Sequence, residues 1–177
     1  MVEQFEFELV YALPVGEHDA FELSDAVFEA GYHDAIIGSG DPRLMAIELE
    51  VAGEDAETVI LNAARSILKN LPEGTELREV RPDLVSLADV AERLEVRRQA
   101  LQQRTMPPAV AGGLYRIAEL AEVIAAFAQP EPGGRRARMN FERANGWLRA
   151  GKAATALNAK IALKQLNTVS LEEKQRA

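Results

Sequence analysis

The chain has no cysteine and only two histidines. Without cysteine there is no disulfide, no thiolate nucleophile and no sulfur ligand for a metal. His18 and His33 are each followed by Asp, but neither stands in a metal-ligand spacing, and no Ser/His/Asp arrangement is singled out. The glycines of "IIGSGDP" lead into a strand rather than a helix, so they mark a hairpin turn and not a phosphate loop. No catalytic residue, metal ligand or cofactor is therefore assigned, and the chain is expected not to be an enzyme. It has no apolar run long enough to span a bilayer, and no basic segment followed by an apolar one at its start. With the absence of cysteine, the expected setting is a reducing cytoplasm without membrane contact.

Basic residues are scarce in the first eighty positions, where four Lys/Arg stand against eighteen Asp/Glu, a net −14. From residue 81 onward the balance reverses, with sixteen Lys/Arg against ten Asp/Glu, a net +6. The overall charge of −8 hides this split. Charge asymmetry between halves points to two jobs in one chain. A basic half can still bind phosphate, because charges farther away than about 8 Å are screened at physiological salt.

The acidic half reads as strands and helices in alternation. In "FEFELVYAL" the residues Phe5, Phe7, Leu9, Tyr11 and Leu13 recur with period two, as on a strand with one buried face. "RLMAIELEV" does the same through Met45, Ile47, Leu49 and Val51. "DAIIGSGDP" is a short strand and "TELREV" a weak one. Leu23, Ala26, Val27 and Ala30 have helical spacing and stop at Gly31. Asp55 caps a second helix with core face Ile60, Ala63, Ala64 and Ile67. The order βαββαβ is that of the ferredoxin-like split βαβ, with strands one and three central. Glu6, Glu8, Glu48 and Glu50 then share the sheet face opposite the helices, a candidate surface for a basic protein partner or simply a hydrated face.

The basic half is helical. Ser86 and Asp89 have capping-box spacing ahead of the apolar stripe Leu87, Val90, Ala91 and Leu94. Val96 plugs the turn, and Ala100 and Leu101 face back. This is the spacing of two helices meeting across a short turn, with Ala91 small enough to allow a close crossing. The outward residues of the second helix are Arg97, Arg98, Gln99, Gln102, Gln103 and Arg104. Arg forks onto guanine and Gln onto adenine. "AQPEPGGRRAR" is a linker in which Arg135, Arg136 and Arg138 are candidates to track phosphates. A last helix is expected from about Met139 to Asn167. Trp147, Ala154 and Ile161 recur there every seven residues, a narrow stripe of the coiled-coil kind weakened by Gly146 and Gly151.

"VSLADVAERLEVRRQAL" followed by "MPPAVAGGLYRIAELAEVIAAF" resembles the helix-turn-helix and short wing of small bacterial regulators related to MerR and the phage excisionases. The likeness covers about a quarter of the chain, Val85 to Phe127. It implies a winged helix with the second helix in a major groove and Arg116 at the step into the third helix. Two residues depart from the pattern. Glu95 stands where the turn usually has Gly, a site of positive φ that costs a non-Gly residue roughly 1 kcal/mol. Arg97 stands where the family often has Ser, which removes an N-cap.

The expected organisation is an acidic domain at 1–82, a helix-turn-helix domain at 83–128, a basic linker at 129–138 and a C-terminal helix at 139–177, α+β in class. The expected function is sequence-specific binding of double-stranded DNA as a transcriptional regulator, paired as a homodimer through the last helix or the sheet. Two alternatives stand beside it: an antitoxin-like interaction protein whose acidic domain grips a basic partner, and a DNA-bending or excision accessory factor.

Overall fold

The computed structural model describes residues 1–38, 40–129, 133 and 138–175. The described residues form a mixed α/β architecture, compatible with an α+β class, with one four-stranded antiparallel sheet, a two-stranded ribbon and six helices. Strands β1 (Glu3–Ala12) and β3 (Leu44–Gly53) pair along their full length and are central. The edges are β2 (Ile36–Gly38) and β4 (Glu76–Arg81), giving the order β2-β3-β1-β4. The two long strands with clean alternation thus hold the centre, where a buried face is needed along the whole length.

Leu77 and Val80 of β4 are three residues apart, yet both are fully buried. Strict period two forbids that. A register shift between Val10 and Tyr11 supplies the missing residue, so that Leu77 pairs with Tyr11 and Val80 with Leu9. The bulge explains why "TELREV" reads weakly in the sequence.

Helices α1 (Ala20–Glu29) and α2 (Ala56–Leu68) bury their apolar stripes against Phe5, Phe7, Leu9, Met45, Ile47 and Leu49. Asp19 and Asp55 cap their first turns. Helix α1 ends in a Schellman motif around Gly31 at φ 95°. The second helix ends at Leu68, six residues before Gly74.

Past the sheet, β5 (Leu84–Ser86) leads into α3 (Leu87–Arg93) and α4 (Arg98–Gln102). After a long loop, β6 (Leu114–Arg116) returns beside β5, and α5 (Ile117–Ala128) follows directly. A second core gathers Val90, Ala91, Leu94, Leu101, Ile117 and Leu120.

The last helix, α6 (Phe141–Ala162), departs from expectation in length and in role. It is capped by Asn140 and stops five residues early, because the chain turns at Lys164 with φ 57°. Gln165 N–H donates to Lys160 O (2.8 Å) and Lys164 N–H to Ile161 O (3.0 Å), a Schellman end without glycine. The following segment is irregular. Leu166 and Leu171 are buried in the sheet's core, and Thr168 O accepts from Leu77 N–H (2.9 Å).

The apolar stripe of α6 is covered within the chain. Ala150, Ala154 and Leu157 join the core under the sheet, whereas Ala144, Trp147 and Leu148 join the core of the helical unit. A dimer seam on Trp147, Ala154 and Ile161 is therefore closed: the first two are buried and the third is half-buried. Both glycines of α6 are explained by this position. A Cβ on Gly146 would stand 1.8 Å from the carbonyl oxygen of Gln4 in β1, and one on Gly151 would stand 2.4 Å from Ile117 Cδ1.

Asn158 of α6 completes the edge of β4. It accepts from Val80 N–H (2.8 Å) and donates to Val80 O (2.7 Å) and to the Asp83 carboxylate (3.0 Å). Thr155 donates to the same carboxylate (2.8 Å). The side chain thus satisfies an edge strand as a further strand would.

Candidate nucleic-acid interface

Helices α3 and α4 are joined by Leu94 to Arg97, and the join is a Schellman motif with Glu95 in the glycine position. Val96 N–H donates to Ala91 O (3.0 Å) and Glu95 N–H to Glu92 O (3.1 Å), with Glu95 at φ 55°. The capping box at Ser86 and Asp89 is formed in both directions. Leu94 and Leu101 are fully buried, which fixes α4 against α3.

Glu95 has a function at the turn beyond its backbone shape. Its carboxylate accepts from Asn140 Nδ2 (2.9 Å) and Arg143 Nη1 (2.7 Å), and Asn140 N–H donates to Leu94 O (2.9 Å). The Asn140 amide and the Arg143 guanidinium hold this carboxyl below its ordinary range. The turn is thereby tied to the start of α6. Glu95→Gly is expected to change stability little, because it relieves a left-handed residue and loses the tie. Glu95→Ala keeps the strain and also loses the tie, so it should be the less stable variant by about 1 kcal/mol. Paired thermal melts measure the difference.

With α4 so fixed, Arg97, Arg98, Gln99, Gln102 and Gln103 are all exposed, and Arg97 makes no capping bond. Arg104 is exposed too, but its guanidinium lies 4.4 Å over the Phe127 ring and is held there. The loop after α4 ends in a two-residue turn at Gly112 (φ 51°) and Gly113 (φ 78°), closed by Leu114 N–H donating to Ala111 O (2.8 Å). Positive φ at both central positions is the type I′ turn that fits a twisted ribbon, and it favours glycine at both. Arg116, exposed, sits at the far end of β6. One signal was present in the sequence and is easy to miss. From Val96 to Ala118 there are four arginines (97, 98, 104 and 116) and no Asp or Glu. Nothing in that run cancels the field of the arginines.

Of the linker arginines, Arg138 is exposed, whereas Arg135 and Arg136 lie outside the described residues. The four glutamates of the sheet face are placed as neighbours, with Glu6 opposite Glu50 and Glu8 opposite Glu48. Two of them already have partners: Glu6 pairs with Arg93 of α3, and Glu8 with Arg81 (2.9 Å). The Arg93 guanidinium also lies over the Trp147 ring, 5.3 Å from its centroid. A cleft of about 470 Å³ separates the acidic face from α3, and Arg81 and Arg93 both line it. The sheet face is thus partly neutralised by the chain itself. Glu48 and Glu50 remain exposed, with no ion pair among the described residues.

Among the described residues no group of three or more His, Asp or Glu side chains is placed to hold a metal ion, and no helix is long and apolar enough to cross a membrane. Comparison of the chain with protein-family models, with characterised proteins and with solved structures finds no match.

Proposed function

We propose that the chain is a sequence-specific DNA-binding regulator that reads a major groove with α4 and flanks it with the β5–β6 ribbon as a wing. The acidic half is then a ferredoxin-like domain fixed to the winged helix by α6. The observation that carries this reading is the exposed row Arg97, Arg98, Gln99, Gln102 and Gln103 on a helix backed by the fully buried Leu101, inside a run of 23 residues without a carboxylate. Rigid backing matters because bidentate base contacts demand fixed side-chain origins. Arg116 and Arg138 are assigned to phosphates beside the groove, where cations position a protein without reading sequence.

The residues divide into two kinds with separable effects. Replacing Arg98 and Gln102 together by Ala should cost roughly 1–3 kcal/mol per lost base contact on the preferred duplex and much less on random duplex. Replacing Arg116 by Ala should weaken both alike and flatten the salt dependence by about one charge. Fluorescence anisotropy on both duplexes across a salt series separates the two outcomes. Equal losses on both duplexes for the Arg98/Gln102 variant would remove the base-reading role from α4.

A further inference from the structure

We propose that the outer face of α1 is a docking surface for a basic, amphipathic segment of a partner protein. Phe21 is 82% exposed and Phe28 46%. They are not spillover from the core, because α1 already buries Leu23, Ala26 and Val27 on its other side. Seven residues apart on a helix, they stand on one face about 10 Å from each other. The Phe28 ring leans on His33, 5.6 Å between centroids.

The surroundings are of one sign. Residues 17–34 carry six carboxylates and no Lys or Arg. Asp19 is spent on the helix cap. Glu17, Glu22, Asp25, Glu29 and Asp34 form no ion pair among the described residues. The sheet face differs, since Glu6 and Glu8 are already paired within the chain. Two aromatic anchors flanked by unneutralised carboxylates match a helix that presents apolar residues two turns apart beside lysines or arginines. A second copy of this chain fits poorly, because a two-fold contact through α1 would set carboxylate against carboxylate.

The test titrates the isotope-labelled full chain with an 18-residue helical peptide carrying Leu at i, i+3, i+4 and i+7 and Lys elsewhere. A control peptide has Glu in place of Lys. Amide shifts should concentrate on residues 17–34 for the Lys peptide and be absent for the Glu peptide. Phe21→Ser with Phe28→Ser should weaken binding at least tenfold, and Glu22→Lys with Asp25→Lys likewise. Melting temperature and DNA binding should stay at wild-type levels in both variants. Shifts centred on Glu48 and Glu50, or binding indifferent to the Phe pair, would overturn the proposal. So would a concentration-dependent dimer of the free chain that the Phe substitutions abolish.

Discussion

Gly146→Ala is expected to lower the stability of the whole chain, although alanine is the better helix former. Helix propensity favours the substitution by about 1 kcal/mol. Against this stands a new Cβ placed 1.8 Å from the Gln4 carbonyl oxygen, with its carbon at 3.0 Å. Those are backbone atoms of a central strand, locked to β3 by its ladder, so they do not yield alone. Either α6 lifts off β1 or the strand distorts. Overpacking of this kind costs about 1–3 kcal/mol and occasionally more. Lifting α6 also strains the Glu3 contacts with Asn145 and Arg149. With backbone atoms this close the cost falls at the upper end of that range, so the net result should be a loss of about 2 kcal/mol, read as a lower denaturation midpoint. Gly151→Ala is the internal comparison. The three atoms nearest its Cβ belong to the Ile117 side chain rather than to a backbone, so the loss should be smaller. Trp147 is the only tryptophan and adjoins Gly146, so its fluorescence follows the displacement directly.

Ala91→Glu should be the most damaging single change in the helical unit. Ala91 is buried where α3 meets α4, and its carbonyl accepts the Val96 N–H that closes the turn. A carboxylate there has no cationic partner in the core of Val90, Leu94, Leu101 and Ile117. An uncompensated buried charge costs about 3 kcal/mol or more. The helical core should open, and Trp147, which belongs to it, should shift its emission to the red. DNA binding should be lost at the same time. Retained wild-type fluorescence would show that α3 and α4 do not pack as described.

Both effects meet at α6, and α6 is where the sequence is least legible. The alternation of β1 and β3, the caps at Ser86 and Asp55 and the stripe of α3 are local patterns, and each was readable because its cause lies within a few residues. The central place of β1 and β3 was legible too, since they are the two long strands with clean alternation. Gly146 and Gly151 read as flaws in a helix, because the atoms that require them, Gln4 O and the Ile117 side chain, are distant in sequence. The seven-residue stripe of α6 resembled a dimer seam for a similar reason. One helix serves two cores, and a heptad-like spacing does not say what covers it.

The end of α6 was hidden by the same kind of cause. Lys164 takes a left-handed turn that glycine usually marks, and the tail that follows is held by non-local partners. One is Arg65 donating to Leu171 O (2.7 Å). Glu95 shows the opposite case. Its positive φ was implied by the resemblance, which has Gly at this turn, but its bonds to Asn140 and Arg143 across 45 and 48 residues were not. In the candidate interface, residue type and spacing placed the outward row of α4 correctly on the surface. The pairing of Arg93 with Glu6 was out of reach, because it depends on how α6 sets the helical unit against the sheet.

The most direct measurement is selection by the full chain from a pool of random duplexes, at a salt concentration low enough to retain weak binders. The expected result is enrichment of one short motif, lost when Arg98 and Gln102 are both replaced by Ala in a protein with unchanged melting behaviour. Binding that enriches no sequence, or enrichment that survives the double replacement, would contradict the assignment of α4 as a reader of bases.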